Sequence, residues 1–279
     1  MSKGTRRRLD LELVRRGLVA NRTEAHAAIE AGRILVAGSP ADKPARLVAP
    51  DESVLVLGPP APFVSRGGQK LAAALDRFAP DLAVDGRRAL DAGASTGGFT
   101  DCLLQRGAAH VYAVDVGHGQ LDQRLRTDDR VTVLERVNVR TLTPEGLRQH
   151  DPAYTPCDLI TADLSFISLV TVVPALTGPL GRPDADLVLL VKPQFEAGRV
   201  VVARGKGVVR DPEIWLETLD RVTSALRDAG TGIMGAMVSP LTGPAGNVEF
   251  LLHARKGIGA EAEDGGRLLR ATVDEAASR

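Results

Sequence analysis

Short apolar runs alternate with amphipathic stretches along residues 64–255 of this 279-residue chain. Short apolar runs bounded by turn residues are typical of buried strands, and apolar positions three and four apart are typical of helices packed by one face. The patterns predict strands near 88–92, 110–115, 131–135, 157–162, 186–191, 232–239 and 247–254, and helices near 71–78, 98–106, 119–126, 143–149, 167–177 and 211–229. This order predicts an α/β domain whose mostly parallel seven-stranded sheet is covered on both faces, with one of the last two strands antiparallel.

A second pattern occupies residues 5–58. Apolar positions at Leu9, Leu13 and Val14 predict a helix that ends at Gly17, and Asn21-Arg22-Thr23-Glu24 favours the start of another. Residues 34–36 and 53–57 predict strands. We therefore expect a small α+β domain ahead of the large one.

Proline and glycine mark the boundary between the two patterns. Three prolines between Gly58 and Pro62 predict a stiff linker over residues 59–63, followed by the larger domain over 64–255. Residues 256–279 are rich in Gly, Ala and acidic groups, and we expect them to form a flexible or weakly helical tail.

The distribution of charge adds one feature, a basic N-terminal region. The whole chain has a formal net charge of zero, but residues 1–50 carry ten Lys and Arg against five Asp and Glu. A basic N-terminal region on a chain that is neutral as a whole indicates a polyanionic partner.

Cysteine usage and hydropathy exclude several other classes. The two cysteines, Cys102 and Cys157, have no metal-ligand spacing, so we expect reduced core thiols and no metal. No apolar segment follows the N-terminal charges, and the longest apolar run, 164–176, contains Pro174 and is too short to span a bilayer. We expect a cytoplasmic protein without stable membrane association. The sequence leaves its oligomeric state open.

A glycine-rich turn, Leu90–Thr100, connects the first strand of the large domain to the following helix. Such a turn lets backbone approach a ligand and points free N–H groups at it. Its spacing does not match the Gly-x-Gly-x-x-Gly dinucleotide fingerprint. It resembles instead the first motif of Rossmann-like methyltransferases, which cradles S-adenosylmethionine. The resemblance implies cofactor contacts from Asp91, Gly93, Ser95, Thr96, Gly97, Gly98 and Phe99.

The next strand ends at Asp115, where an acidic residue would bind the ribose hydroxyls of the cofactor. The alternative is a tight turn whose glycines only allow helix and strand to pack.

Two later strands also end in charge, at Asp163 and Lys192. Ligands of open α/β sheets bind at the carboxyl ends of strands, although such a pair could be only an ion pair. Lys70 lies near the start of a helix, where a cation opposes the helix dipole, so it is either a surface residue or a functional one.

The first domain resembles S4 RNA-binding domains. The resemblance rests on Arg8-Leu9-Asp10, on Asn21-Arg22 followed by Ala25, and on the turn from Gly32 to Gly38. It implies phosphate contacts from Arg6, Arg7, Arg8, Arg22 and Arg33. The alternative is that these arginines are the solvated face of an unrelated domain.

The large domain resembles FtsJ-like ribose 2′-O-methyltransferases, because Lys70, Asp163, Lys192 and Glu249 match their Lys-Asp-Lys-Glu tetrad in order and context. With an S4-like domain ahead of it, the chain over about residues 5–255 resembles the hemolysin A (TlyA) family. The resemblance implies S-adenosylmethionine-dependent methylation of cytidine 2′-hydroxyls in ribosomal RNA or ribosomal subunits, with Asp163 also near the cofactor. Residues 61–63 lack the tryptophan found in the linker of some members.

The tetrad would supply the proton chemistry. A ribose 2′-hydroxyl is a weak acid, and a lysine can act as its base only if burial or a nearby cation lowers the lysine pKa. We expect this base to be Lys192, oriented by its tetrad neighbours. The loop 197–210 is basic and glycine-rich, and we expect Arg204 and Lys206, together with Arg66, to bind RNA.

Two other functions remain open at this point. The chain could be an RNA-binding protein whose Rossmann-like domain is only structural, which the complete tetrad disfavours. It could also be a membrane-acting haemolysin, which the absence of any spanning or strongly amphipathic basic helix disfavours.

Overall fold

The chain divides into two units, residues 1–65 and 66–279. The computed structural model describes residues 6–19, 22–58, 61–198, 202–203, 205–258 and 265–279. Asn21, where the sequence favours a helix start, lies outside the described residues.

The first unit combines two helices with short antiparallel strands. Its elements are β1 (Arg7–Arg8), α1 (Leu9–Arg15), α2 (Arg22–Glu30), β2 (Ile34–Val36), β3 (Ser39–Pro40), β4 (Leu47–Val48) and β5 (Val54–Val56). Strand β1 pairs with β4, and β2 lies between β3 and β5. The apolar helix face places Leu9 and Leu13 in one core with Ile29 and Ile34. The first unit therefore has the α+β structure that the sequence predicts.

The second unit alternates strands and helices, as the hydrophobic pattern predicts. Its elements are α3 (Arg66–Phe78), β6 (Arg88–Ala92), α4 (Gly98–Gln105), β7 (His110–Asp115), α5 (Gln123–Arg126), β8 (Val131–Glu135), a 3₁₀ turn (Val139–Thr141), α6 (Pro144–His150), β9 (Cys157–Ala162), α7 (Leu169–Leu176), β10 (Gly181–Val191), α8 (Pro193–Glu196), α9 (Pro212–Asp228), β11 (Thr231–Val238), β12 (Phe250–Lys256) and α10 (Gly265–Ala277).

One seven-stranded sheet organises this unit, in the order β11-β12-β10-β9-β6-β7-β8. Strands β6 to β10 pair in parallel, and β12 is antiparallel to both of its neighbours. The predicted mostly parallel α/β fold is thus confirmed. Because β12 is reversed, its first residue lies at the same edge of the sheet as the last residues of the parallel strands.

The central strand β10 is buried on both faces. Its last five residues, Leu187–Val191, are each at most 1% exposed. Burying one such aliphatic side chain contributes roughly 1.5–3 kcal/mol, so a shift of this strand along the sheet would be costly. The position at which β10 ends, and hence the position of the next residue, is set by this core.

Residues 265–277 form a packed helix, so of the two expectations for this tail the helical one describes them and the flexible one does not. Helix α10 packs against α9 and β11, and its Leu269, Val273 and Ala276 are buried in the main core. Apolar residues at this spacing form one helix face. The Gly and acidic content of this segment favours a flexible tail, and composition alone does not show that its apolar residues lie on one helix face.

No helix in the described part of the chain is long and apolar enough to cross a membrane.

Candidate active site

The four tetrad side chains converge at the carboxyl edge of the sheet. Val191, the last residue of β10, lies opposite Phe250, the first residue of β12, so that Lys192 and Glu249 both emerge at this edge. Asp163 follows β9, the parallel neighbour of β10. The tetrad forms two ion pairs, Lys192 with Asp163 and Lys70 with Glu249. The tetrad inferred by resemblance is therefore assembled in space.

Lys192 is buried and held by two oxygens. Its Nζ lies 2.5 Å from Asp163 Oδ1 and donates a hydrogen bond to Ser165 Oγ at 3.0 Å. Pro193 starts α8 immediately afterwards, because a proline is tolerated at the first helical position but not inside a central strand. The backbone therefore leaves the sheet directly after Lys192.

The second pair, Lys70 with Glu249, is buried more deeply. Both side chains are buried, and Nζ of Lys70 donates to Oε2 of Glu249. Removing one member would leave an uncompensated buried charge, which typically costs about 3–5 kcal/mol. Of the two alternatives for Lys70, a surface residue or a functional one, the burial excludes the surface residue.

Gly243 provides the space for Glu249, and sequence reasoning did not identify it. A Cβ at position 243 would lie 2.7 Å from Glu249 Oε1. No side-chain contact this close is normal, so any larger residue would displace the carboxylate. The sequence signal was weak, because Gly243 occurs in an ordinary Ser-Pro-Leu-Thr-Gly-Pro loop.

A cavity of about 460 Å³ opens beside the tetrad at the ends of β6, β7 and β9. Four of the predicted cofactor residues line it: Gly93, Ser95, Asp115 and Asp163. Asp163 therefore belongs both to the cavity wall and to the ion pair with Lys192. The residues around it that sequence reasoning missed are Val114, Val116, Gln120, Val137, Asn138, Val139, Leu164, Ser165, Phe166, Ile167 and Val172.

Asp115 fixes the glycine-rich turn. Its Oδ2 accepts the N–H of Ser95 at 2.8 Å and its Oδ1 accepts the N–H of Gly117 at 2.6 Å. Gly93 has φ +86°, and a Cβ there would lie 2.6 Å from the backbone oxygen of Asp163. Turn and strand end are thus in direct contact, which only glycine allows at this position.

The other five predicted cofactor residues are not among the described residues that line this cavity. Asp91 is fully buried and accepts hydrogen bonds from Thr100 Oγ1 at 2.6 Å and Thr161 Oγ1 at 3.2 Å. Burial raises the pKa of Asp91 to about 7. The remaining four are Thr96, Gly97, Gly98 and Phe99.

Gly97 shows why this group supports the turn. It has φ +98°, and a Cβ would lie 2.2 Å from Leu125 Cδ1. The glycine therefore lets α5 pack against the start of α4.

Family models match both parts of the chain. An FtsJ-like methyltransferase model matches residues 63–256, and an S4 domain model matches residues 7–54. The first match alone covers more than half of the chain.

The chain belongs to the hemolysin A (TlyA) family of FtsJ-like methyltransferases.

Individual relatives agree with this assignment. A protein of Mycobacterium tuberculosis named 16S/23S rRNA (cytidine-2′-O)-methyltransferase TlyA is 51% identical over 251 residues, covering 90% of both chains. Hemolysin A of Brachyspira hyodysenteriae is 37% identical over 88% of this chain and 98% of its own. A solved structure from Streptococcus thermophilus that carries a hemolysin name has a TM-score of 0.77 at 36% identity, covering 98% of this chain and 96% of its own.

The predicted RNA-binding arginines of the S4 unit are on its surface, but two share a buried partner. Asp10 accepts hydrogen bonds from Arg8, Arg22 and His26. The hydrogen bond from Arg8 holds the pKa of Asp10 well below its usual range. The side chains of Arg8 and Arg22 remain 43% and 57% exposed, so they present ordered guanidinium groups to solvent.

The other predicted arginines of this unit differ in their contacts. Arg6 and Arg7 are exposed. Arg33 donates to the backbone oxygen of Leu57 at 2.7 Å. Arg6 also donates to the backbone oxygen of Leu47, at 3.5 Å.

In the methyltransferase unit, Arg66 donates to the backbone oxygen of Thr242 at 2.8 Å, and Lys206 is exposed. Arg204 lies outside the described residues. Asn247 connects this loop to the tetrad, because its side chain accepts from the N–H of Val209 and donates to the oxygen of Gly207, both at 2.9 Å. The basic loop is therefore anchored two residues from Glu249.

Both cysteines are free and buried, as expected of core thiols, and burial raises the pKa of Cys157 to about 12. Within the described ranges, no group of three or more His, Cys, Asp or Glu side chains could hold a metal ion.

Proposed function

We propose that this protein transfers a methyl group from S-adenosylmethionine to the 2′-hydroxyl of a cytidine in ribosomal RNA. The observation that carries the proposal is the Lys192–Asp163 pair at 2.5 Å, in which Asp163 also lines the cavity. The Lys192 amine, a possible proton acceptor, thus lies beside the cavity that can hold the methyl donor. The M. tuberculosis relative has this activity in its name.

The cavity fits the cofactor in size and in chemistry. Ligand sites of roughly 300–1,000 Å³ are usual for molecules of this class, and this one measures about 460 Å³. Asp115 uses two of its lone-pair sites for backbone N–H groups, and a carboxylate has about four, so sites remain for the ribose hydroxyls. Gly93 leaves the backbone open to close approach. The cofactor supplies an electrophilic methyl group when bound, and this chemistry needs no metal.

We assign a different role to each of the two ion pairs of the tetrad. We assign to Lys192 the removal of the proton from the attacking hydroxyl. Asp163 and Ser165 fix the direction of this amine by the contacts at 2.5 and 3.0 Å. The buried Lys70–Glu249 pair adds a second cation and a second carboxylate at the same edge, and we assign to it the positioning of the ribose.

RNA affinity comes from the arginines of the S4 unit and from the basic loop. Phosphate contacts position a nucleic acid without recognising its sequence. Arg6, Arg7, Arg8, Arg22, Arg33, Arg66, Arg204 and Lys206 are the residues we assign to this role. The proposed partner is ribosomal RNA in a ribosomal subunit, and the proposed compartment is the cytoplasm.

The decisive experiment uses ribosomal subunits from cells that lack the gene. The wild-type protein and S-adenosylmethionine with a labelled methyl group are added, and methylated nucleotides are mapped as blocked 2′-hydroxyls. We expect label at a cytidine 2′-oxygen and none with Lys192→Ala. Label on a base, or on no RNA at all despite cofactor binding, would contradict the proposal.

A further inference from the structure

Two segments lie side by side at the edge of the sheet that carries the tetrad. One is the loop between β9 and α7, residues 163–168, and the other is α8, Pro193–Glu196. Lys192 joins them at one end, because it directly precedes α8 and contacts Asp163 and Ser165 of the loop. Asp163 and Ser165 also line the cofactor cavity. The position of this loop therefore affects both the cavity wall and the Lys192 amine.

Glu196, the last residue of α8, joins the same two segments at the other end. Its Oε2 accepts a hydrogen bond from Ser168 Oγ at 2.6 Å, and its Oε1 accepts the N–H of Leu169 at 2.7 Å. Both donors lie where the loop becomes α7. A carboxylate at a helix N-terminus satisfies an N–H group that has no partner within the helix and is favoured by the helix dipole. The carboxylate of Glu196 thus fixes the end of the loop.

Glu196 is itself held in place. The residue is buried, and its backbone oxygen accepts a hydrogen bond from Nη1 of Arg221 on α9 at 2.7 Å. Burial raises the pKa of this carboxyl, and the hydrogen bonds from Ser168 and Leu169 act in the opposite direction. A buried carboxylate is unfavourable unless it is hydrogen-bonded, so the contacts with the loop are strongly favoured.

The backbone between the two attachment points is strained. Phe166 has φ +65°, a conformation that bulky residues rarely adopt. Such a residue persists only where the surrounding structure determines it. Ser165, bound to Lys192, lies on one side of Phe166, and Ser168, bound to Glu196, lies on the other. The loop is therefore held from outside at both ends, rather than by its own preferred conformation.

We propose that Glu196 is a positioning residue for methyl transfer, which holds the loop so that Asp163 and Ser165 orient the Lys192 amine. The inference rests on the proposed function. Glu196 lies outside the tetrad and acts through the loop, not on the substrate. A displacement of about 1 Å at a reacting group can lower a rate about a hundredfold, so a small movement of the loop is sufficient.

The test measures kcat at saturating S-adenosylmethionine and saturating ribosomal subunits, so that weaker binding does not enter the result. We expect Glu196→Ala to lower kcat roughly tenfold to a hundredfold. Glu196→Gln keeps the length of the side chain, and its amide can accept from the N–H of Leu169 and donate to Ser168 Oγ, so most of the activity should remain. Glu196→Asp keeps the charge but is one methylene shorter, and it should lose as much activity as alanine.

A double-mutant cycle with Ser165→Ala shows whether Glu196 acts through the loop. If it does, Glu196→Ala should reduce kcat by a smaller factor in the Ser165→Ala background than in the wild type, because one of the contacts it maintains is already lost. Residues that act independently give factors that multiply. Multiplying factors would therefore contradict the proposed route.

The control for a general loss of stability is Asp186→Asn, which changes another buried acid of the same unit, one that accepts a hydrogen bond from His253. This variant should lower Tm and leave kcat unchanged at temperatures well below Tm. An equal fall of kcat in Asp186→Asn and Glu196→Ala, or a lower Tm with unchanged kcat in Glu196→Ala, overturns the inference.

If Glu196→Ala does not fold, the comparison of the Gln and Asp variants decides the question. Retained activity in Glu196→Asp together with a loss in Glu196→Gln would mean that the charge matters rather than the position, which also overturns the inference. Absence of methyl transfer by the wild type overturns the proposed function instead.

Discussion

Val191 lies directly opposite Phe250 in the antiparallel ladder between β10 and β12. Because these two residues end and begin their strands, the lysine that follows one and the glutamate that precedes the other are brought to the same edge. A slip of one residue would turn every side chain of β12 to the other face. The geometry of the site is therefore set by the pairing of two apolar residues that take no part in the chemistry.

Lys192→Ala and Lys192→Arg should both abolish methyl transfer while S-adenosylmethionine binding stays close to wild type. Alanine removes the base, and a guanidinium cannot give up a proton in the working pH range. Single-turnover transfer at saturating cofactor and ribosomal substrate measures the effect, with the exposed Lys43→Ala as control. Near-wild-type turnover by the arginine variant would leave Lys192 with only an electrostatic role.

Asp115→Ala should weaken S-adenosylmethionine binding by roughly 1.5–3 kcal/mol, about tenfold to a hundredfold, because charge-assisted hydrogen bonds are lost. The variant also loses the anchor of the Ser95 and Gly117 N–H groups, so the turn becomes less ordered. Titration calorimetry checks this, with Asp129→Ala at an exposed position as the matched change. Equal cofactor affinity in Asp115→Ala and wild type would show that the acid serves only the turn.

Gly243→Ala should lower kcat with little change in cofactor affinity. The added Cβ would lie 2.7 Å from Glu249 Oε1 and must push the carboxylate away from Lys70. The expected loss of stability is about 1–3 kcal/mol, as for other overpacked sites. Gly266→Ala is the control, since nothing lies within 4 Å of a Cβ there. Unchanged kcat would mean that the Lys70–Glu249 pair tolerates displacement.

Stability should decrease as the pH rises from about 4 to about 7, because of Asp91. Burial raises its pKa to about 7, so in this window the folded chain binds a proton that the unfolded chain has released. The linkage is on the order of 4 kcal/mol for a shift of this size. Asp91→Asn, which keeps the shape and carries no charge, should flatten this part of the curve, and Asp129→Asn should not. Denaturant unfolding across this pH range measures it, and identical slopes in wild type and Asp91→Asn would refute the assignment.

Replacing Arg6 and Arg7 together by alanine should weaken binding to ribosomal substrate and reduce its salt dependence. Each lost phosphate contact lowers the slope of log K against log salt by about 0.7–0.9. Both residues are exposed in the S4 unit, so neither change should disturb the core. Filter binding at several salt concentrations provides the slope, and S-adenosylmethionine affinity serves as the control. An unchanged slope would make these arginines a solvated face only.

The alternation of strands and helices, and the strand ends at the edge of the sheet, could be predicted because they depend on local patterns. The runs that end at Asp115, Asp163 and Lys192 are long and apolar, and parallel strands bring such ends together. Lys70 and Glu249 are far apart in sequence, and only their resemblance to a known tetrad connected them in advance.

What could not be predicted depends on contacts between distant segments. Gly243 matters only because Glu249 comes within 2.7 Å of the place of its missing side chain. The sequence does not predict the hydrogen bonds that Asp91 accepts from Thr100 and Thr161, since Thr161 lies on another strand. A groove is lined by residues that follow β9, among them Phe166, and by residues that follow β10, among them Gln194. Neither stretch of sequence predicts it without the other.

The packing of α10 has a genetic consequence. Leu269 and Val273 complete the same core that holds Trp215 and Phe250, although they lie beyond residue 256, where the family match ends. A premature stop codon between positions 258 and 268 would spare every proposed catalytic, cofactor and RNA-binding residue. It would nevertheless expose one side of this core and weaken the strand that positions Glu249. Alleles that abolish activity can therefore arise in the last twenty codons, and a screen restricted to the site residues would miss them.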